Sequence, residues 1–131
     1  MAPLNSLRLL VIDDDPGVVN ALRQLLSRDG YLVHTARNGH EALARLHEYR
    51  YALILCDLRL PGLDGRDFYA LLLRWYPCLH QRVIFLTGDL LSPDSLTFLE
   101  QCGQPWVSKP CHAADVRRVI AQVLHDAESW S

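Results

Sequence analysis

Three aspartates come directly after two short apolar runs of this chain and are the first candidates for chemistry. Asp13 and Asp14 follow the run at residues 7–12, and Asp57 follows the run at residues 51–56. If the two runs are neighbouring strands, the three carboxylates meet and repel one another, which raises at least one pKa. A hard divalent cation removes that repulsion, because carboxylate and carbonyl oxygens are its preferred ligands. The pattern therefore predicts a site for Mg²⁺, or for Mn²⁺.

A hydroxyl group and an ammonium group follow two later apolar runs. Thr87 comes after the fourth run, and Lys109 comes after the fifth. Phosphoryl transfer to a carboxylate uses all of these groups together. The cation and the ammonium neutralise oxygens of the transferred group, the hydroxyl donates a hydrogen bond, and the carboxylate attacks in line. Asp57 is the candidate nucleophile.

The short apolar runs are rich in Leu, Val and Ile, and turn residues follow them, which is typical of strands. The five predicted strands are residues 7–12, 31–35, 51–56, 82–86 and 106–108. The first, third and fourth are apolar on both alternating faces, as strands covered by helices on both sides require. We therefore expect a parallel sheet.

Helical patterns occupy the segments between these strands. Asp15 is a typical N-cap for the first helix, and Asn38 with Glu41 resembles a capping box at the start of the second. Asp64–Gly65 indicates a turn and a cap before the third helix, at about residues 66–75. We predict that the buried face of the third helix consists of Phe68, Leu71, Leu72 and Trp75.

Five strand and helix units in alternation predict a doubly wound α/β fold of the flavodoxin-like type, (βα)5, with strand order 2-1-3-4-5. In that order the direction of winding reverses between strands one and three, and ligands bind beyond their carboxyl ends. The fold therefore brings Asp13, Asp14 and Asp57 to one crevice, with Asp15 turned away to cap its helix.

Composition limits the remaining possibilities. The 131 residues predict one domain, residues 1–131, with a core at about residues 7–125. A formal net charge of −2 argues against direct nucleic-acid binding, because it gives no strong positive field. The chain has no apolar stretch long enough for a membrane span and no secretory signal, so we expect a cytoplasmic protein without membrane contact. The four scattered cysteines favour free thiols.

Four motifs together resemble the receiver domain of two-component response regulators, and the resemblance covers about residues 7 to 125. The motifs are LLVIDDDP at residues 9–16, CDLRLPGLDG at 56–65, LTG at 86–88 and SKP at 108–110. The family is a signalling module that assists its own phosphorylation and dephosphorylation and is not a separate enzyme. The resemblance thus implies phosphorelay signal transduction through an aspartyl phosphate.

The resemblance also implies roles for individual residues. Asp57 accepts the phosphoryl group from a histidine kinase or a histidine phosphotransfer protein. Asp13 and Asp14 hold Mg²⁺ together with Asp57 and the backbone carbonyl of Arg59. The Thr87 hydroxyl and the Lys109 ammonium bind the phosphoryl oxygens.

Further implied roles concern the surroundings of that site. The Lys109–Pro110 bond is expected to be cis, and Trp106 stands at the position of the family's aromatic switch. Trp106 is bulkier than the usual residue, and packing as ordinary core is the alternative for it. Cys111 stands where the family often has Phe. Arg59 and Asp89 occupy the two positions that tune phosphoryl hydrolysis.

Two alternatives to a free-standing regulator stay open. Residues 87–89 and 104–110 are also similar to receivers at the C-terminus of hybrid histidine kinases. A receiver-like binding module that signals without phosphorylation is the second alternative, although the intact acid, hydroxyl and lysine positions argue against it. The sequence does not identify the downstream effector.

Overall fold

The computed structural model describes residues 7–88 and 92–129, in which five strands alternate with five helices. The strands are β1 (Arg8–Ile12), β2 (Leu32–Ala36), β3 (Leu53–Asp57), β4 (Val83–Thr87) and β5 (Trp106–Ser108). The helices are α1 (Pro16–Arg28), α2 (Gly39–Glu48), α3 (Gly65–Trp75), α4 (Pro93–Cys102) and α5 (Ala113–Ser129), with a short 3₁₀ helix at Pro77–Leu79. All strand pairs are parallel, and the sheet order is β2-β1-β3-β4-β5. The predicted fold and strand order are confirmed.

The sheet separates two hydrophobic clusters, because successive side chains of a strand point to opposite faces. Leu10 and Ile12 of β1 face the cluster beneath α2, α3 and α4, whereas Leu9 and Val11 face the cluster beneath α1 and α5. Strands β3 and β4 are buried along their whole length. This rigid double-sided packing fixes the strand ends that carry the candidate residues.

Side-chain caps begin three of the helices. Asp15 accepts a hydrogen bond from the Gly17 N–H (2.8 Å), and Asp64 accepts one from the Arg66 N–H (2.9 Å). The predicted cap at Asn38 is also present, since its side-chain oxygen accepts the Glu41 N–H at 2.8 Å. A cap of this kind stabilises a helix by about 1 kcal/mol.

The predicted buried face of α3 is wrong at Trp75, whose residue surface is 66% exposed, and Leu71 is only partly buried. The buried positions of this helix are Gly65, Phe68, Tyr69 and Leu72. Trp75 lies on the Phe68 side of the helix, about 20° from it in projection. It is the last residue of α3, and its side chain is left in solvent where the helix ends. The Arg74 guanidinium lies 6.0 Å from the centre of the Trp75 ring.

Strand β3 ends one residue later than predicted, and so does β4. Asp57 and Thr87 are therefore the last residues of their strands and not the first residues of the following loops. Within the described residues, no helix combines the length and the apolar composition that crossing a membrane requires. The four cysteines are free thiols, as the sequence predicts.

Candidate functional site

Three carboxylates converge at the carboxyl ends of β1 and β3. The two strands are neighbours, with Ile12 in register with Cys56, so that the residues after them lie side by side. One carboxylate oxygen from each of Asp13, Asp14 and Asp57 lies within 4.8 Å of the others. Asp13 is fully buried and Asp57 is 6% exposed, whereas Asp14 faces solvent. The structure thus places the three residues together as the sequence predicts.

Backbone N–H groups orient the two buried carboxylates. The Asp15 N–H donates to Asp13 Oδ1, and the Arg59 N–H donates to Asp57 Oδ1, each at 3.0 Å. Both donors lie two residues after the carboxylate that they bind, so the turn after each strand holds its own acid. The Oδ2 atoms are left to face the centre of the cluster.

Lys109 bridges the two buried acids. Its Nζ lies 2.8 Å from Asp13 Oδ2 and 2.9 Å from Asp57 Oδ2. The Lys109 backbone N–H donates to the Thr87 carbonyl at 2.8 Å, which fixes this residue beside the end of β4. Burial lowers the pKa of the Lys109 ammonium, but the interactions with Asp13 and Asp57 outweigh burial and raise the pKa above its ordinary value. The ammonium therefore remains charged at neutral pH.

One lysine does not neutralise this cluster. Burial raises the pKa of Asp57, the Arg59 N–H and Lys109 lower it, and the charge of Asp13 raises it, with a net increase. Burial is the largest cause of this increase. Besides it, the three carboxylates of the cluster carry more formal negative charge than the single Lys109 ammonium offsets. The cluster therefore favours an additional cation.

The donor atoms suit a hard divalent cation. Asp13 Oδ2 is buried and receives no hydrogen bond from the described residues, although Lys109 Nζ lies 2.8 Å away and forms an ion pair with it. A carboxylate oxygen has more than one lone pair, so the ion pair with Lys109 leaves acceptor capacity for a metal ion. The three side chains of the cluster offer carboxylate oxygens, which Mg²⁺ and Mn²⁺ prefer.

Two glycines border the cluster and differ in how closely they are packed. A Cβ atom on Gly65 would overlap the Asp57 carbonyl oxygen and would also come within 2.9 Å of Leu58 Cα. A Cβ atom on Gly88 would meet Lys109 Cβ only at 3.8 Å, an ordinary contact. The sequence pattern indicated only a turn and a cap at residues 64–65, so this close approach was missed. A glycine at the first position of a helix, directly after its capping aspartate, was the available signal.

The remaining predicted residues lie around this cluster. Thr87 is 2% exposed at the end of β4, and the Lys109–Pro110 peptide bond is cis. Trp106 begins β5 in register with Phe85 and is 41% exposed, which disagrees with the alternative that it packs as ordinary core. The Arg59 side chain is exposed beside the site. Asp89 lies outside the described residues.

Comparisons with known proteins agree with this geometry. The sequence model of response regulator receiver domains matches residues 9–121. The chain belongs to this family. It is 34% identical over 119 residues to the transcriptional regulatory protein GlrR of Escherichia coli K12, a match that spans 91% of this chain and 26% of GlrR. This receiver domain thus spans about a quarter of the length of that regulator.

Solved receiver structures superpose on the fold over most of its length. A CheY-like response regulator receiver domain protein from Methanospirillum hungatei has a TM-score of 0.86 at 27% identity, covering 96% of this chain and all of the other. The receiver domain of a signal transduction histidine kinase from Syntrophus aciditrophicus has a TM-score of 0.83 at 28% identity, covering 92% of each chain. The chain is therefore a receiver domain of two-component signalling.

Proposed function

We propose that this receiver domain accepts a phosphoryl group on Asp57 from a phosphohistidine of a histidine kinase or histidine phosphotransfer protein. The observation that carries the proposal is the position of Lys109 Nζ, 2.9 Å from Asp57 Oδ2, in a cluster that also contains Asp13 and Asp14. A carboxylate nucleophile needs cationic partners for the incoming phosphoryl oxygens. The Lys109 ammonium group beside Asp57 can supply one of these cationic partners.

Asp13, Asp14 and Asp57, with the backbone carbonyl of Arg59, form the proposed site for Mg²⁺ or Mn²⁺. The support is the buried Asp13 Oδ2, which receives no hydrogen bond from the described residues, together with the excess negative charge. When bound, the cation neutralises charge on the oxygens of the transferred group.

In the proposed reaction, a carboxylate oxygen of Asp57 attacks the phosphorus atom. The O–P bond forms while the P–N bond breaks, and the bonding electron pair returns to the imidazole nitrogen of the donor. The Lys109 ammonium moves from Asp57 Oδ2 to a phosphoryl oxygen, and the Thr87 hydroxyl donates a hydrogen bond to another. The chain assists this transfer and the later hydrolysis, and the phosphodonor protein supplies the group.

Intact-mass measurement with acetyl phosphate and Mg²⁺ tests the acceptor. We expect one phosphoryl addition on the wild-type protein and on Asp67→Asn, an exposed acid of α3. Asp57→Asn is expected to show no addition. Equal labelling of the wild-type protein and Asp57→Asn contradicts the assignment, and an unlabelled wild-type protein favours a module that signals without phosphorylation.

Trp106 is proposed to report the phosphorylated state. Thr87, drawn toward the phosphoryl group, vacates space near the sheet, and the exposed indole of Trp106 moves toward it. With Trp75 and Trp130 replaced by Phe, the fluorescence of Trp106 should change when beryllofluoride is added with Mg²⁺. Unchanged fluorescence together with unchanged amide exchange at α4, β5 and α5 would place the switch elsewhere.

Arg59 and Asp89 are proposed to slow hydrolysis of the aspartyl phosphate by hindering an in-line water molecule. Arg59 follows Asp57 by two residues and has an exposed side chain, as access to the phosphoryl group requires. Dephosphorylation rates of Arg59→Ala, Asp89→Ala and the double variant should be non-additive if the two residues act together. Decay of all three within about twofold of the wild-type rate would reject this role. It would favour the alternative, an ion pair worth roughly 0–1 kcal/mol with no effect on the hydrolysis rate.

The kind of protein in which this receiver domain functions is a separate proposal. Receivers similar to this one occur in GlrR, a longer transcriptional regulatory protein, and in a histidine kinase. A response regulator, free-standing or longer, and the receiver of a hybrid kinase both suit the fold. Asp57 has the same proposed role in either setting. The reading frame that surrounds the gene segment distinguishes the two, because a hybrid kinase has a kinase core before the receiver.

A further inference from the structure

A pocket opens at the end of the sheet opposite Asp57, beside the amino end of β3. Its walls come from the end of α2, the loop at residues 49–52, the 3₁₀ helix and the segment before β4. Its volume is about 650 Å³, within the roughly 300–1,000 Å³ range of small-molecule sites. Because β3 runs the whole depth of the sheet, this pocket is separate from the carboxylate cluster.

The charge around this pocket is positive. Arg50 and Arg82 line it, and Glu48 is the acidic residue among the lining residues that the structure describes. Arg8 and Arg45 add to the field, since burial first and then the charges of these two arginines lower the pKa of His34 nearby. The electrostatic environment therefore favours an anion.

Hydrogen bonds hold the pocket's loop in place. The Arg82 guanidinium donates to the Ala52 carbonyl at 3.0 Å, and the Arg8 guanidinium donates to the Arg50 carbonyl at 3.2 Å. Each of these bonds uses one of the five N–H donors of a guanidinium. The Arg50 side chain is exposed at the rim. The arginines thus fix the loop and still have donors for a ligand.

Aromatic rings form another part of the wall. Tyr49, Tyr51 and Tyr76 line the pocket. The Tyr49 ring lies 4.9 Å from the Arg8 guanidinium and packs edge-on against the His34 ring at 4.6 Å between centroids. The Tyr51 hydroxyl lies 2.7 Å from His34 Nδ1, and Tyr51 is only 5% exposed. These contacts hold two of the rings in fixed orientations before any ligand binds.

We propose that this pocket binds a small ligand in which a flat aromatic ring carries a phosphate or carboxylate group. The ring packs against the accessible tyrosines, Tyr49 and Tyr76, which favour aromatic partners. The anionic group binds the guanidinium groups of Arg50 and Arg82, whose planar donors suit phosphate and carboxylate. A nucleotide and an arene carboxylate share this chemistry. The carboxylate cluster at the other end of the sheet repels the same ligands.

Nuclear magnetic resonance titration of the full chain without divalent cations tests this site. Adenosine 5′-monophosphate, benzoate and inorganic phosphate are added separately to the ¹⁵N-labelled protein. We expect at least one aromatic anion to shift amides of residues 49–52 and 76–82 saturably. Tighter binding of the nucleotide or of benzoate assigns the ligand class. Binding is expected to persist in Asp57→Asn, so it is independent of the proposed phosphorylation.

Charge-removing variants test the arginine contact. Arg50→Gln should weaken binding of the tighter aromatic anion by about tenfold, because one charge-assisted hydrogen bond is lost. Arg28→Gln, an exposed arginine at the end of α1, is the matched control and should bind as the wild-type protein does. Inorganic phosphate binding as tightly as both aromatic anions would overturn the role of the tyrosines. Absence of saturable shifts, equal affinity in Arg50→Gln, or shifts that follow only from self-association would overturn the site.

Discussion

The two ends of the parallel sheet have opposite chemical character. Asp13, Asp14 and Asp57 converge at the carboxyl ends of the strands, whereas Arg50 and Arg82 precede β3 and β4 at the amino ends. The formal net charge of −2 conceals this separation, because it sums 13 basic and 15 acidic residues wherever they lie. In a parallel sheet all strands begin at one edge and end at the opposite edge, so the two edges can carry opposite charges. The net charge of the chain therefore predicts little about which ligands it binds.

The two ends also differ in how completely their polar groups are satisfied. At the amino end, the guanidinium groups of Arg8 and Arg82 bind backbone carbonyls. At the carboxyl end, burial raises the pKa of Asp57, and Asp13 Oδ2 receives no hydrogen bond from the described residues. Excess buried charge costs stability and is common at functional sites. This contrast is why we assign the phosphoryl chemistry to the carboxyl end.

Removing the cationic bridge should give the largest effect. Lys109→Met keeps the alkyl chain but leaves Asp13 and Asp57 without their shared counter-ion. In urea unfolding without Mg²⁺ we expect the free energy of unfolding to fall by about 2–3 kcal/mol. This is less than the roughly 3–5 kcal/mol for a fully buried pair, because the Lys109 side chain is 23% exposed. Millimolar Mg²⁺ should restore part of this loss.

Arg74→Met on the exposed surface of α3 is the control for Lys109→Met, with an expected change within about 0.5 kcal/mol. If Lys109→Met unfolds at the same urea concentration as the wild-type protein, the excess-charge interpretation of the carboxyl end is wrong.

A pair of alanine substitutions tests the packing around the cluster. Gly65→Ala forces a Cβ atom against the Asp57 carbonyl and Leu58, so we expect it to destabilise the fold by about 1–3 kcal/mol. Gly88→Ala places its Cβ atom in ordinary contact with Lys109 and should have a smaller effect. Thermal unfolding of both variants checks the difference. Equal stability of the two would mean that the close approach at Gly65 relaxes without cost.

The smallest expected effect is a pH dependence at the amino end. Burial, and then the charges of Arg8 and Arg45, lower the pKa of His34 below its ordinary value of 6.5. The unfolded chain then binds more protons than the folded protein as pH falls through 6.5, so the free energy of unfolding decreases toward lower pH. Above that value this contribution is constant. The lowered pKa of His34 arises in part from the same positive charges that the proposed anion pocket requires.

Titration of the His34 ring resonances by nuclear magnetic resonance measures that field. Arg8→Gln should move the pKa of His34 upward, and Arg28→Gln should leave it unchanged. Neither substitution replaces Tyr49 or Tyr51, whose rings pack against His34 in the wild-type protein. A pKa at or above 6.5 in the wild-type protein would contradict a positive field at this end.

The sequence predicted the fold and the convergence of acids because both follow from strand order. Apolar runs on both faces required a doubly covered parallel sheet, and the order 2-1-3-4-5 placed Asp13 beside Asp57. It did not predict the exposure of Trp75, because the apolar spacing of a helix does not show at which residue the neighbouring elements cease to cover it. Nor did it predict the close packing of Gly65, since that depends on how β3 approaches α3 in three dimensions.

The sequence pattern also did not predict the pocket at the amino ends of the strands. Arg50 and Arg82 are 32 residues apart in the sequence, and each one taken alone is typical of a solvent-exposed arginine. They line one pocket only because β3 and β4 are adjacent and parallel. To predict a cluster of residues from two strands, the register between the strands must be known as well as their order.

Amide chemical-shift mapping with beryllofluoride, an aspartyl-phosphate mimic, tests the central claim most directly. With Mg²⁺ present, the account predicts shifts at residues 13–14, 57–59, 87–88 and 109, with residues 49–52 much less affected. Omitting Mg²⁺ or replacing Asp57 by Asn should abolish those shifts. Shifts that persist in Asp57→Asn, or that are the same without Mg²⁺, would contradict a metal-dependent phosphoacceptor at Asp57.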